Sequence, residues 1–274
     1  MDDLGTETPA ELEISETWRR LLTGEDASIR HLRRAWGFVP SPPRCKVCGA
    51  PFEGPGRIAT KIVSHGRSRQ NPLLCGMCFG SLKKQPGGAE IELSVLFADI
   101  RGSTAIAEAT TADEFRHRVQ RFYEIGAKAV DRNGGTVDKF LGDGIMALFI
   151  PVMTGDQHAR SAILAARDLL RDVDRSDLPA NGVHVGAGID RGLAFLGVIG
   201  SDDKLDFTAL GDTVNTAARL GSAAAAGHLL VSERAWKASG FDEVAVTTTA
   251  LQVAGKREPV PVADLGPTEL AAAA

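Results

Sequence analysis

Leu93–Ser94–Val95–Leu96–Phe97–Ala98–Asp99–Ile100 reads as an apolar strand that delivers a carboxylate into the turn Arg101–Gly102–Ser103–Thr104. Its companion is Thr136–Val137–Asp138–Lys139–Phe140–Leu141–Gly142–Asp143–Gly144–Ile145–Met146–Ala147–Leu148–Phe149. Two apolar runs joined by Gly-Asp-Gly carry the signature of a hairpin. As neighbours, these strands would set Asp99 and Asp143 at adjacent strand ends. Mg²⁺ is held by one or two carboxylates plus substrate phosphates, and ion pairs roughly 3.5–4 Å apart serve phosphoryl and nucleotidyl transfer. Taken singly, Asp99 could cap a strand and Asp143 could form a turn; the pair together points to a metal.

Outward from this stretch the pattern alternates. A strand at 91–100 precedes a helix over 111–132, the hairpin 136–150 and a helix over 155–174. A strand at 182–190, a Gly-rich turn, a second hairpin near 193–209 and a helix over 211–226 follow. Strand–helix–strand–strand–helix–strand is the ferredoxin-like order, an α+β class with an antiparallel sheet, here with extra elements. Ala271–Ala274 reads as a frayed tail.

Upstream the composition differs. Residues 12–36 read as two short helices interrupted at Thr23–Gly24–Glu25–Asp26, and Phe38–Val39–Pro40–Ser41–Pro42–Pro43 reads as an extended linker. All four cysteines follow, as Cys45-x-x-Cys48 and Cys75-x-x-Cys78, and Gln85–Pro86–Gly87–Gly88 forms a second hinge. Paired CxxC knuckles suit tetrahedral thiolate ligation of one structural Zn²⁺; iron in a similar four-sulfur site is the chemical alternative. Gly49 and Gly76 permit tight turns that aim amides at sulfur. Few large apolar residues lie between the pairs, so metal binding would supply much of this segment's folding free energy. The expected organisation is a helical segment and linker (1–40), a four-cysteine metal segment (41–86) and a catalytic domain (89–268).

Bulk properties narrow the classes. A hydrophobic share of 43% and a charged share of 24% are those of a globular protein. No apolar run approaches the roughly 20 residues of a membrane helix, and the acidic Met1–Asp2–Asp3–Leu4 lacks a signal peptide's basic and apolar regions. A cytoplasmic location without membrane partners is expected. Residues 17–90 hold thirteen Lys or Arg against four acids, a net of +9 within a chain of net charge −4. Such a segment could bind nucleic acid, but docking in cis or a solvated face is the preferred reading. Arg19, Arg20, Arg30, Arg33 and Arg34 read as a solvated helix face, and His65 as a surface residue rather than a ligand.

Three motifs, in order, resemble the catalytic domain of class III nucleotidyl cyclases, the adenylyl and guanylyl cyclase family. They are Phe97–Ala98–Asp99–Ile100–Arg101–Gly102–Ser103–Thr104, Asp138–Lys139–Phe140–Leu141–Gly142–Asp143–Gly144, and Gly211–Asp212–Thr213–Val214–Asn215–Thr216–Ala217–Ala218–Arg219. The resemblance covers Ile91 to Leu265. It implies that Asp99 and Asp143, with the Ile100 carbonyl, hold two Mg²⁺ or Mn²⁺ ions per site. It implies that Lys139 and Thr208 read the purine, that Asn215 and Arg219 orient ribose and stabilise charge at the transferring phosphate, and that Lys256 meets the terminal phosphate. An ammonium has donors only, which suits adenine N1 and favours ATP over GTP. The resemblance also implies a symmetric homodimer, with the metal aspartates from one subunit and Lys139, Thr208, Asn215 and Arg219 from the other. The expected function is therefore an adenylate cyclase regulated by its metal segment. The alternatives are a guanylate cyclase, or a non-catalytic zinc-containing protein that uses the fold to dimerise. On their residue types alone, Lys139 could be a strand gatekeeper, Thr208 an ordinary strand residue, Asp206 a hairpin acid and Asp212 a helix N-cap.

Overall fold

The structure, a computed structural model, describes residues 9–39, 43–62, 66–68, 74–84, 87–201, 204–241, 246, 248–253 and 256–272. Pro40, Pro42, His65 and the Gln85–Pro86 part of the second hinge lie outside them. The first elements are α1 (Pro9–Thr23), α2 (Ala27–Gly37), α3 (Gly56–Ile62) and α4 (Gly76–Lys84). They are followed by β1 (Gly88–Ile100), α5 (Ser103–Ala109), α6 (Ala112–Arg132), β2 (Thr136–Leu141), β3 (Gly144–Phe149), α7 (Pro151–Thr154) and α8 (His158–Asp174). The remainder is β4 (Val185–Ser201), β5 (Lys204–Leu210), α9 (Asp212–Ala223), β6 (Leu229–Ser232), α10 (Glu233–Lys237), β7 (Thr248–Leu251), β8 (Val260–Leu265) and α11 (Pro267–Ala272).

Two compact units emerge. Met1–Ile91, Pro151–Gly155 and Phe195–Ala209 form the first; Glu92–Ile150, Asp156–Ala194 and Leu210–Ala274 form the second. In the first, Asp26 caps α2 by accepting from the amides of Ser28 and Ile29 at 2.8 and 3.0 Å. This stops the α1 pattern and separates the two helices as expected. Arg33 departs from the solvated-face reading: it donates to the carbonyls of Lys46 and Val47, both at 3.0 Å, and burial pulls its pKa down. Arg19 is held between Glu16 and Glu25.

The second unit carries the sheet β2-β3-β1-β4-β6-β8-β7; β5 lies almost wholly in the first unit and pairs with β4, whose residues from Phe195 onward belong to that unit too. The segment β4-β1-β3-β2 is the ferredoxin-like arrangement. β1 and β3 run antiparallel from Ser94↔Phe149 to Asp99↔Gly144. Leu96, Ala98 and Ile100 face a core shared with Phe122 and Ile125 of α6 and Ile163 and Leu169 of α8. Phe97 lies on the opposite face, against α9, where a Cβ on Gly221 would meet the Phe97 Cβ at 3.0 Å. Both faces of β1 are covered, which explains its nearly continuous apolar sequence. Thr111 and Glu114 form a capping box that starts α6.

Three local expectations are corrected. The turn expected at Arg191–Gly192 is absent, because β4 continues through it. Gly192 serves close packing instead, since a Cβ there would lie 2.8 Å from Thr213 Oγ1 and 3.0 Å from Arg234 Nη1. The last predicted helix stops at Ala223 rather than 226; of the tail expected to fray, Ala271–Ala272 continue α11, and Ala273–Ala274 lie outside the described residues. No helix among the described residues is long and apolar enough to cross a membrane.

A buried pair in the second unit has a pH consequence. His158 and Ser94 share a 2.9 Å hydrogen bond and are 3% and 0% exposed. Burial, with Arg191 adding to it, lowers the histidine pKa from the ordinary 6.5 to about 4. Above pH 6.5 the ring is neutral in both folded and unfolded chains; below it, only the unfolded chain gains the proton. Stability should therefore fall from pH 6.5 to 4, by roughly 3 kcal/mol from this group. Thermal melts across that window check it, and His158→Gln should flatten the acid slope.

Candidate active site and cysteine centre

Two backbone pairings build the acidic end of the sheet. Asp99 lies opposite Gly144, and the Ile100 amide donates to the Asp143 carbonyl at 3.0 Å. The turn between them demands glycine on both sides: Gly142 has φ +71°, and a Cβ on Gly144 would fall 2.0 Å from Asp99 Oδ1. Tyr123 of α6 donates to the Gly142 carbonyl at 2.6 Å and stacks on Phe140 at 4.2 Å between centroids, fixing the turn from outside.

The Asp99 side chain is 23% exposed. Burial pushes its pKa up, the Arg101 guanidinium works against that, and the neighbouring Asp143 charge adds to the rise. Like charges gathered in a half-buried place favour a cation. Arg101 supplies one at 3.4 Å while donating to the carbonyls of Ser222 and Ala224 at the end of α9. Sequence reasoning gives Arg101 no role; the available signal is its position two residues past the carboxylate. The donor set fits Mg²⁺ or Mn²⁺: two carboxylates and the Ile100 carbonyl, all hard oxygens at one sheet end.

The remaining candidates are distributed. Lys139 follows a β-bulge between Val137 and Lys139, and its ammonium stands 3.5 Å from Asp138, whose side chain is 2% exposed. Asn215 and Arg219 lie four apart on α9 and so share a face, the former exposed and the latter half-buried. Thr208 lies on β5 in the first unit and is 6% exposed. Lys256 grips Asp212, Nζ to Oδ1 2.6 Å and to Oδ2 2.5 Å. Asp212 is therefore not the N-cap of α9; Gly211 takes that place without a side-chain bond, and Asp212 is a first-turn acid. Asp212, Lys256, Arg234 and the fully buried Asp190 line one cleft of about 550 Å³.

In the first unit all four cysteine sulfurs lie within 4.8 Å of one another, and Cys48 and Cys75 are 3.8 Å apart. Tetrahedral zinc with bonds near 2.3 Å requires sulfurs roughly 3.8 Å apart. The amides of Cys75 and Cys78 point at the sulfurs of Cys45 and Cys75, each at 3.3 Å. Gly49 makes its turn at φ +75°, its amide on the Cys45 carbonyl at 2.9 Å. Gly76 instead opens α4, its amide on the Gly66 carbonyl. Hydrogen bonds with Cys48 and with Cys45 push the pKa values of Cys45 and Cys75 down, while bonds to Cys45 push those of Cys48 and Cys78 up. Four thiols gathered within 4.8 Å of one another are a donor set that fits a thiophilic metal.

Comparison with known proteins agrees with this geometry. The sequence profile described as the adenylate and guanylate cyclase catalytic domain matches residues 89–260. An adenylate cyclase of Anabaena cylindrica is 36% identical over 134 residues, which is 47% of this chain and 26% of that protein. A terminal-differentiation adenylate cyclase of Dictyostelium discoideum is 32% identical over 130 residues, 46% of this chain and 6% of its own length. The chain thus spans a small part of these relatives. Among solved structures, a guanylyl cyclase aligns with TM-score 0.60 and 28% identity over 65% of this chain and 93% of its own. The adenylyl cyclase CyaB from P. aeruginosa aligns with TM-score 0.60 and 28% identity, over 65% and 94%. The chain belongs to the class III adenylate and guanylate cyclase family, its catalytic domain preceded by a segment in which four cysteines converge.

Proposed function

We propose that this cyclase is an adenylate cyclase that converts ATP to 3′,5′-cyclic AMP and pyrophosphate at a homodimer interface. The observation that carries the reading is the juxtaposition of Asp99 and Asp143 through the Asp99↔Gly144 pairing. Two Mg²⁺ or Mn²⁺ ions, when bound, supply activation of the ribose 3′-hydroxyl and charge neutralisation along the triphosphate. Asp99, Asp143 and the Ile100 carbonyl are the residues proposed to hold them.

The rest of the chemistry is positioning by this chain's own side chains. Arg219 offers a planar, multidentate cation to the transferring phosphate, and Asn215 on the same helical face orients the ribose. Lys256 meets the terminal phosphate, exchanging the Asp212 carboxylate for a phosphate oxygen. Lys139 and Thr208 read the base. Asp99 and Asp143 come from one subunit, and Lys139, Thr208, Asn215 and Arg219 from its partner, so a monomer is inactive. We further propose one structural Zn²⁺ on Cys45, Cys48, Cys75 and Cys78, and regulation of the catalytic domain (89–268) by the segments at 1–40 and 41–86.

Incubation of the full chain with ATP or GTP and Mn²⁺ tests the reading. Cyclic AMP should form, with kcat/KM for ATP at least about tenfold above that for GTP, because Lys139 meets an acceptor on adenine and a donor on guanine. Equal use of both nucleotides would remove the adenylate assignment; no product from a folded dimer would remove the enzyme. Lys139→Glu should lower kcat/KM for ATP by about 10²-fold and raise the relative use of GTP.

A further inference from the structure

We infer that Trp18 is a positioning residue for nucleotide selection: its indole clamps the strand that presents Thr208, through Phe207. The inference rests on the proposed base-reading role of Thr208 and deepens it. Trp18 and Phe207 rings lie 6.2 Å apart between centroids and 18° from parallel. Trp18 is 3% exposed and Leu22, one turn further along α1, is 1% exposed. Adjacent strand residues point to opposite faces, so α1 holds the back of β5 while the Thr208 side chain turns the other way.

The clamp is closed from the neighbouring backbone. Gly87 sits against α1, where a Cβ would come within 3.1 Å of Ile14 Cγ2 and 3.6 Å of Trp18 Nε1. The Val198 amide donates to the Gly87 carbonyl at 2.8 Å, tying β4, the strand that pairs with β5, to the same place. The helix is in turn fixed to the cysteine knuckle. Arg30 donates to the carbonyls of Gly24 and Glu25 in the α1–α2 turn, and Arg33 of α2 donates to Lys46 and Val47. An aromatic residue that touches no substrate thereby sets the strand that selects it. The sequence around Trp18 carries no sign of this, since its apolar spacing is that of any amphipathic helix.

The test uses the full-length chain and steady-state kinetics with ATP and GTP. Trp18→Ala should raise KM for ATP about five- to tenfold, the size of a lost aromatic pair, and narrow the ATP-over-GTP preference, with kcat changed less than about twofold. Trp18→Phe, which keeps a ring on Phe207, should restore both. Phe207→Ala should reproduce the effect, and the double variant should add nothing to it. Should Trp18→Ala fail to fold, Trp18→Leu, which keeps bulk without a ring, carries the same comparison. A lower kcat at unchanged KM and unchanged preference would mean simple loss of folded enzyme and would overturn the inference. A wild-type chain that forms no cyclic nucleotide would overturn the base-reading assignment and this inference with it.

Discussion

Asp99→Ala should lower cyclic nucleotide formation by at least about 10³-fold at saturating ATP and Mn²⁺, and Asp143→Ala should do the same. The size follows from the several kcal/mol of transition-state charge stabilisation that a carboxylate-held metal site supplies, each 1.36 kcal/mol being tenfold in rate. Neither loss should come from unfolding. Asp99 sits at the strand's end, past the core residues Leu96 and Ala98, and Asp143 lies in a half-buried turn. Size-exclusion chromatography should therefore show the same dimer as wild type. On the proposed assignment of the two aspartates and Lys139 to different subunits of one site, a mixture of Asp99→Ala and Lys139→Ala chains should regain activity. One of the two sites in the mixed dimer would then hold every functional group, and at most about half of wild-type activity returns per mixed dimer. Absence of rescue, with mixed dimers demonstrated, would place both halves of the site in one chain.

On the proposed zinc assignment, removing the metal should unfold the four-cysteine segment and leave the core of the ferredoxin-like sheet intact. The described part of this segment buries Val47, Ala50, Phe52 and Leu74 besides three cysteines, a small core for its length. Metal ligation by such peptides is worth roughly 10–16 kcal/mol, and that binding energy is folding energy. Elemental analysis should find one zinc per chain, and a strong chelator should open cleavage at Lys46, Arg57 and Arg67. The double variant Cys45→Ser/Cys75→Ser should carry no metal and be cleaved without chelator. A metal-free wild-type chain that resists protease would overturn the assignment. Iron in the analysis would keep the centre and change its chemistry, since a four-sulfur iron site is redox-active where zinc is not.

Much of the catalytic domain is legible in the sequence because its signals are local. Alternating and continuous apolar runs, the Gly142–Asp143 turn and the capping box at Thr111 each act over a few residues, so the strand–helix order can be read without tertiary information. The CxxC spacings likewise suffice to predict that Cys45, Cys48, Cys75 and Cys78 converge, because two thiolates three positions apart already reach one metal from a single turn. Gly192 defeats a local reading for the complementary reason: glycine marks a turn or a close approach, and only the arrival of Thr213 and Arg234 decides between them. Arg33 does so because a basic helix face looks alike whether water or a knuckle's carbonyls receive it.

What the sequence by itself determined is which chemical groups the chain carries: two carboxylates beside glycine turns, a donor-only lysine on the same hairpin as one of them, and four cysteines at metal-binding spacing. The tertiary structure alone decided the pairings between distant segments. It set Asp99 against Gly144, closed Lys256 on Asp212, aimed Arg101 from Asp99 to the end of α9, and stacked Trp18 on Phe207. The reason is physical. Local propensity and turn chemistry act within a few bonds of a residue, whereas the Asp99–Gly144, Asp212–Lys256, Arg101–Ser222 and Trp18–Phe207 contacts join positions separated by 44 to 189 residues and form only when burial of apolar surface brings their strands and helices together.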